Sequence, residues 1–392
     1  DLIGYFLIHS VCKLHVNIYI FLLWFFFGIS VVLLVFVMGA VALFWNELRT
    51  LFSLEKLDDY GAYQMTYYGD YGFDEFLEVG ASSDKDIEEL VTKRLLKGMP
   101  IDLGVTGDAC TAFVTKNEKG EVIYGRNFDF LYAPSLQLYT EPKNGYKSVS
   151  TVNLSFAGYS ENFLPDGSLF DKFLTLAAPF LPFDGMNEKG LVANLLWLAE
   201  SSYPQWNGER PALSIAAWVQ YMLDNFATVD EAVAEVQKNT FDVVSHMMPD
   251  GTPMATLHLS ISDATGDNAI FEFVDGKLDI HHSKAYQVMT NSPVFDQQLA
   301  LDDYWKNIGG TTFLPGTNRA ADRFVRASFY INAIPKTQDT RTALASVFSV
   351  IRNTSVPFGI STPDQPNISS TRWRTVSDQK DKVYYFESTL YP

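Results

Sequence analysis

The sequence predicts an α+β body of layered sheets and flanking helices, carried behind one long apolar helix. Three observations predict it. Residues 18–44 contain no charged side chain and are mostly Phe, Leu, Val, Ile and Trp. Beyond Tyr60, short strand-like runs recur between turns that contain Gly, Asn and Asp. Between those runs lie several stretches with apolar residues at helical spacing.

The apolar segment over 18–44 exceeds the ~20 residues a helix needs to cross a bilayer. A secretory signal has a shorter apolar region, ~7–15 residues, before a small-residue cleavage site. Gly39-Ala40-Val41-Ala42 offers small residues, but the length predicts an uncleaved anchor that meets the lipid bilayer, with residues 1–17 as its flank. Trp24 and Trp45 are placed to mark its interfaces. Lys13 precedes it, and Glu47 and Arg49 follow. That charge difference is small and gives an N-terminus-inside, membrane-anchored chain with an extracytoplasmic body. The sequence begins at Asp1 rather than Met, as a fragment would.

With 392 residues and 47% hydrophobic content the chain can bury a sizeable core, in one large domain or several. A net charge of −17 excludes nucleic acid as the expected partner, because phosphate binding needs clustered Lys and Arg. Cys12 and Cys110, the two cysteines, flank the apolar segment. A spanning helix would put them on opposite sides of the membrane, so no disulfide framework is expected.

Residues 45–109 read as a distinct region. Tyr60 to Tyr71 looks like a strand and turn. Ser83 or Asp84 caps a helix with Ile87, Leu90, Val91 and Leu95 at helical spacing, and Gly98-Met99-Pro100 ends it. Further on, strands are expected at Gln137–Tyr139, Ser148–Phe156 and Gly190–Leu198. Phe170–Leu181 reads as a helix or an apolar loop. Helices are expected over Pro211–Phe226, from Thr228 to Lys238, and over Asp322–Asn332 and Thr340–Ile351. Ala255–Ile261 and Ala269–Val274 form a hairpin, Leu278–His282 adds a strand, and Trp373–Val376 with Val383–Leu390 closes the chain.

Chemistry concentrates between Asp108 and Phe130. Thr111–Thr115 and Glu121–Gly125 are strand-like runs joined by the polar turn Lys116-Asn117-Glu118-Lys119-Gly120. A hairpin of this length returns Arg126 and Asp129 close to Cys110. A thiol beside a guanidinium and a carboxylate can be an activated nucleophile, since positive charge favours the thiolate. The alternative is a packed, inert thiol beside a structural ion pair.

Cys-Thr at the head of a hairpin ending in G-R-N-x-D resembles the choloylglycine hydrolase family of linear-amide C–N hydrolases. Three later stretches match in the same order: Asp184-Gly185-Met186-Asn187-Glu188-Lys189-Gly190-Leu191, Met289-Thr290-Asn291-Ser292-Pro293, and Asp322-Arg323-Phe324-Val325-Arg326. The resemblance runs from about Cys110 to the C-terminus. It implies a four-layer αββα N-terminal-nucleophile sandwich over 110–392. Residues 45–109 would then be a propeptide, removed by autocleavage between Ala109 and Cys110. The implied reaction is hydrolysis of small-molecule N-acyl amides by the Cys110 thiol, with the freed α-amine as base.

By the same resemblance Asp129 orients the new amine, Arg126 sits against the thiol, Asn291 donates to the oxyanion, and Arg323 orders the site. Arg326 reads as structural, and Asp322 stands where the family has Ser. The family carries Asn or Tyr at an oxyanion or substrate position after the G-M-N-E-K-G-L turn. Counted without gaps, that position is Trp197; a short gap makes it Asn194. No cofactor and no metal are expected. His258, His281 and His282 lie in strands where neighbours face opposite ways, and no ligand spacing of a metal motif is present. Other readings stay open: acyl transfer from the same thioester, a catalytically silent anchored protein, a metallohydrolase. The sequence also leaves open a homo-oligomer.

Overall fold

The Cys110 hairpin owes its shape to Asn117 and Gly120. The Asn117 side chain accepts from the backbone N–H groups of Lys119 and Glu121 at 2.9 and 3.0 Å. Gly120 takes a φ of +78°, the left-handed conformation that favours glycine. The turn locks β3 (Cys110–Lys116) against β4 (Val122–Phe130) with Cys110 opposite Phe128 and Ala112 opposite Arg126.

The structure is a computed structural model that describes residues 2–73, 93, 110–245, 256–309, 311–361 and 369–392. Apart from residue 93, the expected helix over Ser83–Leu95 lies outside these residues, as do its stop at Pro100 and the Ala109 side of the cleavage junction. The chain divides into two units, 1–49 and 50–392. In the first, α1 (Leu2–Leu43) contains a stretch, Tyr19–Leu43, long and apolar enough to cross a membrane.

In the second unit, the described residues form three sheets. The largest has the order β1-β2-β5-β6-β7-β8-β11-β12-β13. Its strands are β1 (Glu55–Lys56), β2 (Ala62–Thr66), β5 (Ser135–Thr140), β6 (Ser148–Asn153), β7 (Pro182–Asn187), β8 (Val192–Trp197), β11 (Leu257–Ser262), β12 (Asn268–Val274) and β13 (Lys277–His282). The second sheet runs β14-β3-β4-β15-β16, with β14 (Val288–Met289), β15 (Ser370–Asp378) and β16 (Val383–Ser388). A small third sheet pairs β9 (Ala212–Ser214) with β10 (Asp242–Val244) in parallel.

The two large sheets face each other. Phe128 of β4 meets Phe183 of β7 edge to face at 5.1 Å, and both are buried. Polar groups also meet between the sheets. Tyr124 and Ser260 hydroxyls lie 3.0 Å apart. Asp184 of β7 accepts from Arg126, from Trp373 Nε1 at 3.3 Å and from the Tyr384 hydroxyl. Buried charge is tolerated here because it is paired and hydrogen-bonded.

Helices pack on both sheets. After the short α2 (Trp45–Phe52), helix α3 (Trp218–Asn225) lies on β7 and β8, and α4 (Val229–Gln237) touches β12. On the other sheet, α6 (Ala320–Ala333) lies on β3 and α7 (Thr340–Asn353) on β4, with α5 (Phe295–Ile308) against α6. Thr228 caps α4 with a full capping box to Glu231, as the sequence predicts.

Two segments differ from expectation. Residues 211–226 are not one helix: Ala212–Ser214 pairs with β10, Ser214 caps a 3₁₀ turn, and the α-helix starts only at Trp218. Ser148–Phe156 is a strand to Asn153, whose side chain then caps a 3₁₀ turn over Leu154–Ala157. Part of the region 45–109 is described as well. Leu51, Tyr63, Met65, Tyr67, Tyr71 and Phe73 all belong to the core of the second unit, and β2 is a strand of its large sheet.

Candidate active site

Cys110 starts β3 and is 3% exposed, so its thiol is inside the protein, not on a rim. Three elements converge on it. Strand β4 returns Arg126, whose Nη2 lies 3.6 Å from the Cys110 Sγ and also donates to the Leu195 carbonyl at 3.0 Å. The short strand β14 pairs with β3, Met289 opposite Ala112, which delivers the next residues to the head of the hairpin. There the Cys110 N–H donates to Asn291 Oδ1 at 2.7 Å. The first turn of α6 supplies Arg323. Its Nη1 donates to the Cys110 carbonyl at 2.5 Å and to the Thr111 hydroxyl, and its Nη2 donates to Asn291 Oδ1 at 2.7 Å.

Alternation along β4 sends Arg126 and Asp129 to opposite faces. The two do not pair with each other. Arg126 pairs with Asp184, while Asp129 lies 3.6 Å from Arg323 Nη1 and accepts from the Thr371 hydroxyl at 2.5 Å. The second Asp129 oxygen, Oδ2, is buried and accepts no hydrogen bond. Asn291 Nδ2, expected at the oxyanion, here donates to the Trp197 carbonyl at 2.7 Å. Trp197 and Asn194 both lie on β8 but three residues apart, so their side chains face opposite ways. Asn194 stands opposite Asp184 and Ser260, with its Nδ2 buried and unpaired. Arg326 donates to the Pro315 and Thr317 carbonyls at 2.9 and 2.8 Å, holding the loop before α6.

Burial sets the electrostatics. It pushes the Cys110 thiol up to about 11; Arg126 pulls the other way and loses. In the uncut chain, desolvation of the thiolate outweighs the attraction of the neighbouring guanidinium. Burial likewise pushes the Asp129 carboxyl up to about 6, with Arg323 opposing. Below its unfolded value of 3.8 this group is protonated in both states and costs nothing. Between 3.8 and about 6 the unfolded chain releases this proton while the folded chain keeps it, so stability falls across that window and levels off above it. We expect the uncut Cys110→Ala chain to lose roughly 2–3 kcal/mol between pH 4 and 7 relative to Cys110→Ala/Asp129→Asn. Urea unfolding across that range measures the difference.

Two groups escaped the sequence reading. Asp184, the partner of Arg126, lay inside the D-G-M-N-E-K-G-L run without an assigned role. Glu272 lies in the otherwise apolar strand Ala269–Val274, and an isolated charge there requires partners. Its carboxylate lies 2.8 Å from His258 Nδ1, accepts from the Phe295 N–H at 3.0 Å, and lies 3.5 Å from His281 Nε2. Burial alone would raise this carboxyl, but the two histidines and the Phe295 N–H hold it near about 2. His258 Nε2 donates to the Thr290 carbonyl at 2.8 Å, so the cluster supports the residue before Asn291. His282 turns instead to Asp267, at 2.7 Å.

The linear amide C–N hydrolases of the choloylglycine hydrolase family match residues 110–390. A penicillin V acylase from Pectobacterium atrosepticum is 49% identical over 300 residues, spanning 72% of this chain and 79% of the relative. A bile salt hydrolase/transferase from Clostridium perfringens is 28% identical over 71% of this chain and 89% of its own length. The solved penicillin V acylase from Agrobacterium tumefaciens superposes with a TM-score of 0.58 at 52% identity, covering 72% of this chain and 84% of that one.

Proposed function

The chain belongs to the choloylglycine hydrolase family of linear amide C–N hydrolases, and we propose that it cleaves small N-acyl amides with Cys110 as an N-terminal nucleophile. The four-layer αββα arrangement belongs to this reading, as does freeing of Cys110 by cleavage after Ala109. The observation that carries it is the convergence on one buried residue. The Cys110 sulfur lies against Arg126, and its nitrogen is held by Asn291 beside Arg323.

Once free, the α-amine takes the thiol proton, and the sulfur attacks the amide carbon. The tetrahedral oxyanion is met by Asn291 Nδ2, which must leave the Trp197 carbonyl to reach it. Collapse breaks the C–N bond, the amine leaves with the proton, and a thioester remains. Water, deprotonated by the α-amine, then releases the acid. Asp129 Oδ2, buried without a donor, is the acceptor for the α-ammonium, and Arg323 positions Asn291. The acyl group is apolar, by likeness to the penicillin V acylases. The Tyr19–Leu43 helix anchors the chain, with the catalytic body outside the cytoplasm.

The test is amine release from a panel comprising penicillin V, conjugated bile salts and fatty N-acyl amides. Release that disappears after thiol alkylation supports the reading. Release unaffected by alkylation of Cys110, followed by mass, rejects it.

A further inference from the structure

Residues 50–73 stand N-terminal to the cleavage point yet are built into the catalytic body. Strand β2 runs parallel to β5 in register from Ala62–Ser135 to Thr66–Tyr139. Backbone bonds extend the pairing at both ends, Ser135 N to Gly61 O at 2.9 Å and Tyr67 N to Tyr139 O at 2.8 Å. Tyr63 is 1% and Tyr71 2% exposed, among the largest fully buried side chains of the protein. The Tyr63 hydroxyl donates to Asp166 at 2.6 Å and the Tyr71 hydroxyl to Asp224 at 2.5 Å. Phe73 stacks on Phe180 with centroids 5.7 Å apart.

A segment that departed after cleavage would leave β5 as an unpaired sheet edge, a site for aggregation. It would also remove aromatic packing from the core and a donor from buried Asp224, each destabilising. We propose that the N-terminal piece is not discarded. After the Ala109–Cys110 bond is cut, it stays as a non-covalent second chain that supplies β1 and β2. The working enzyme is then a two-chain complex in which strand pairing ties the catalytic chain to the apolar helix. This rests on the self-cleavage proposed above, and the partner is a segment of the same chain.

The test uses detergent-extracted full-length protein in two forms. One is the wild type. The other is Cys110→Ala with a site-specific protease sequence inserted between Gly98 and Met99 and cut in vitro, so that it does not depend on self-cleavage. Both are run on native size exclusion and then in urea. The expected result is co-elution of the two pieces in native buffer and separation only in urea. Tyr71→Phe in the protease-cut form should release the N-terminal piece about tenfold faster, the loss of one buried hydrogen bond. A folded C-terminal piece that elutes alone from either cut form would overturn the proposal. An uncut wild type would reject self-cleavage instead, while the protease-cut form still decides the question of retention.

Discussion

Cys110→Ala should leave the chain uncut and lower amide hydrolysis by about 10⁴-fold or more, the scale on which loss of a nucleophile acts in covalent catalysis. The expectation follows from where the thiol sits. It is buried at the head of β3, with burial holding it at about 11 despite Arg126. At neutral pH roughly one sulfur in 10⁴ would then be thiolate. A thiol so placed needs a base within reach, and in the uncut chain its own nitrogen is an amide that donates to Asn291. The proposed cleavage would convert that amide into an amine with a pKa of ~8, suited to take the proton near neutral pH. The uncut chain should therefore alkylate slowly at Cys110, and the cut chain quickly. Site-resolved mass spectrometry separates Cys110 from Cys12.

Arg126→Leu should be the most damaging substitution for the fold. Arg126 is fully buried and pairs with buried Asp184. Without the guanidinium, Asp184 keeps only Trp373 Nε1 and the Tyr384 hydroxyl as donors between the sheets. Removing one partner of a buried ion pair costs about 3–5 kcal/mol. Asp184→Asn added to Arg126→Leu should recover part of that stability, because it removes the stranded charge, but none of the activity. Denaturant midpoints of the two single variants and the double variant give the coupling energy. Additive effects would mean that the pair is not the source of the loss.

The hairpin was legible because its signals are local: strand propensity on either side of a turn with a positive-φ glycine and an Asn that caps the reversal. The α4 helix was legible from its capping box for the same reason. Helix α5 was not, because its buried face includes Gln298 and Asp302, which break the apolar spacing. The start of the Pro211–Phe226 segment read as helical because Leu213, Ala216 and Ala217 keep the spacing. Pairing of Ala212–Ser214 with β10, a partner thirty residues away in the chain, overrides it. The four family motifs named residues that the structure brings around Cys110. They did not reveal that Arg126 is paired by Asp184 rather than Asp129, since faces of a strand are settled by register. Nor did the motifs reach upstream of Cys110, where β2 and the buried tyrosines join the sheet.

The most direct test of the account is intact mass and N-terminal sequencing of the purified full-length protein, alongside Cys110→Ala. The account predicts a wild-type chain beginning at Cys110 with amidase activity, and a mutant that stays uncut and is inactive. An active wild type that remains uncut, or a mutant cut at the same bond, would contradict it.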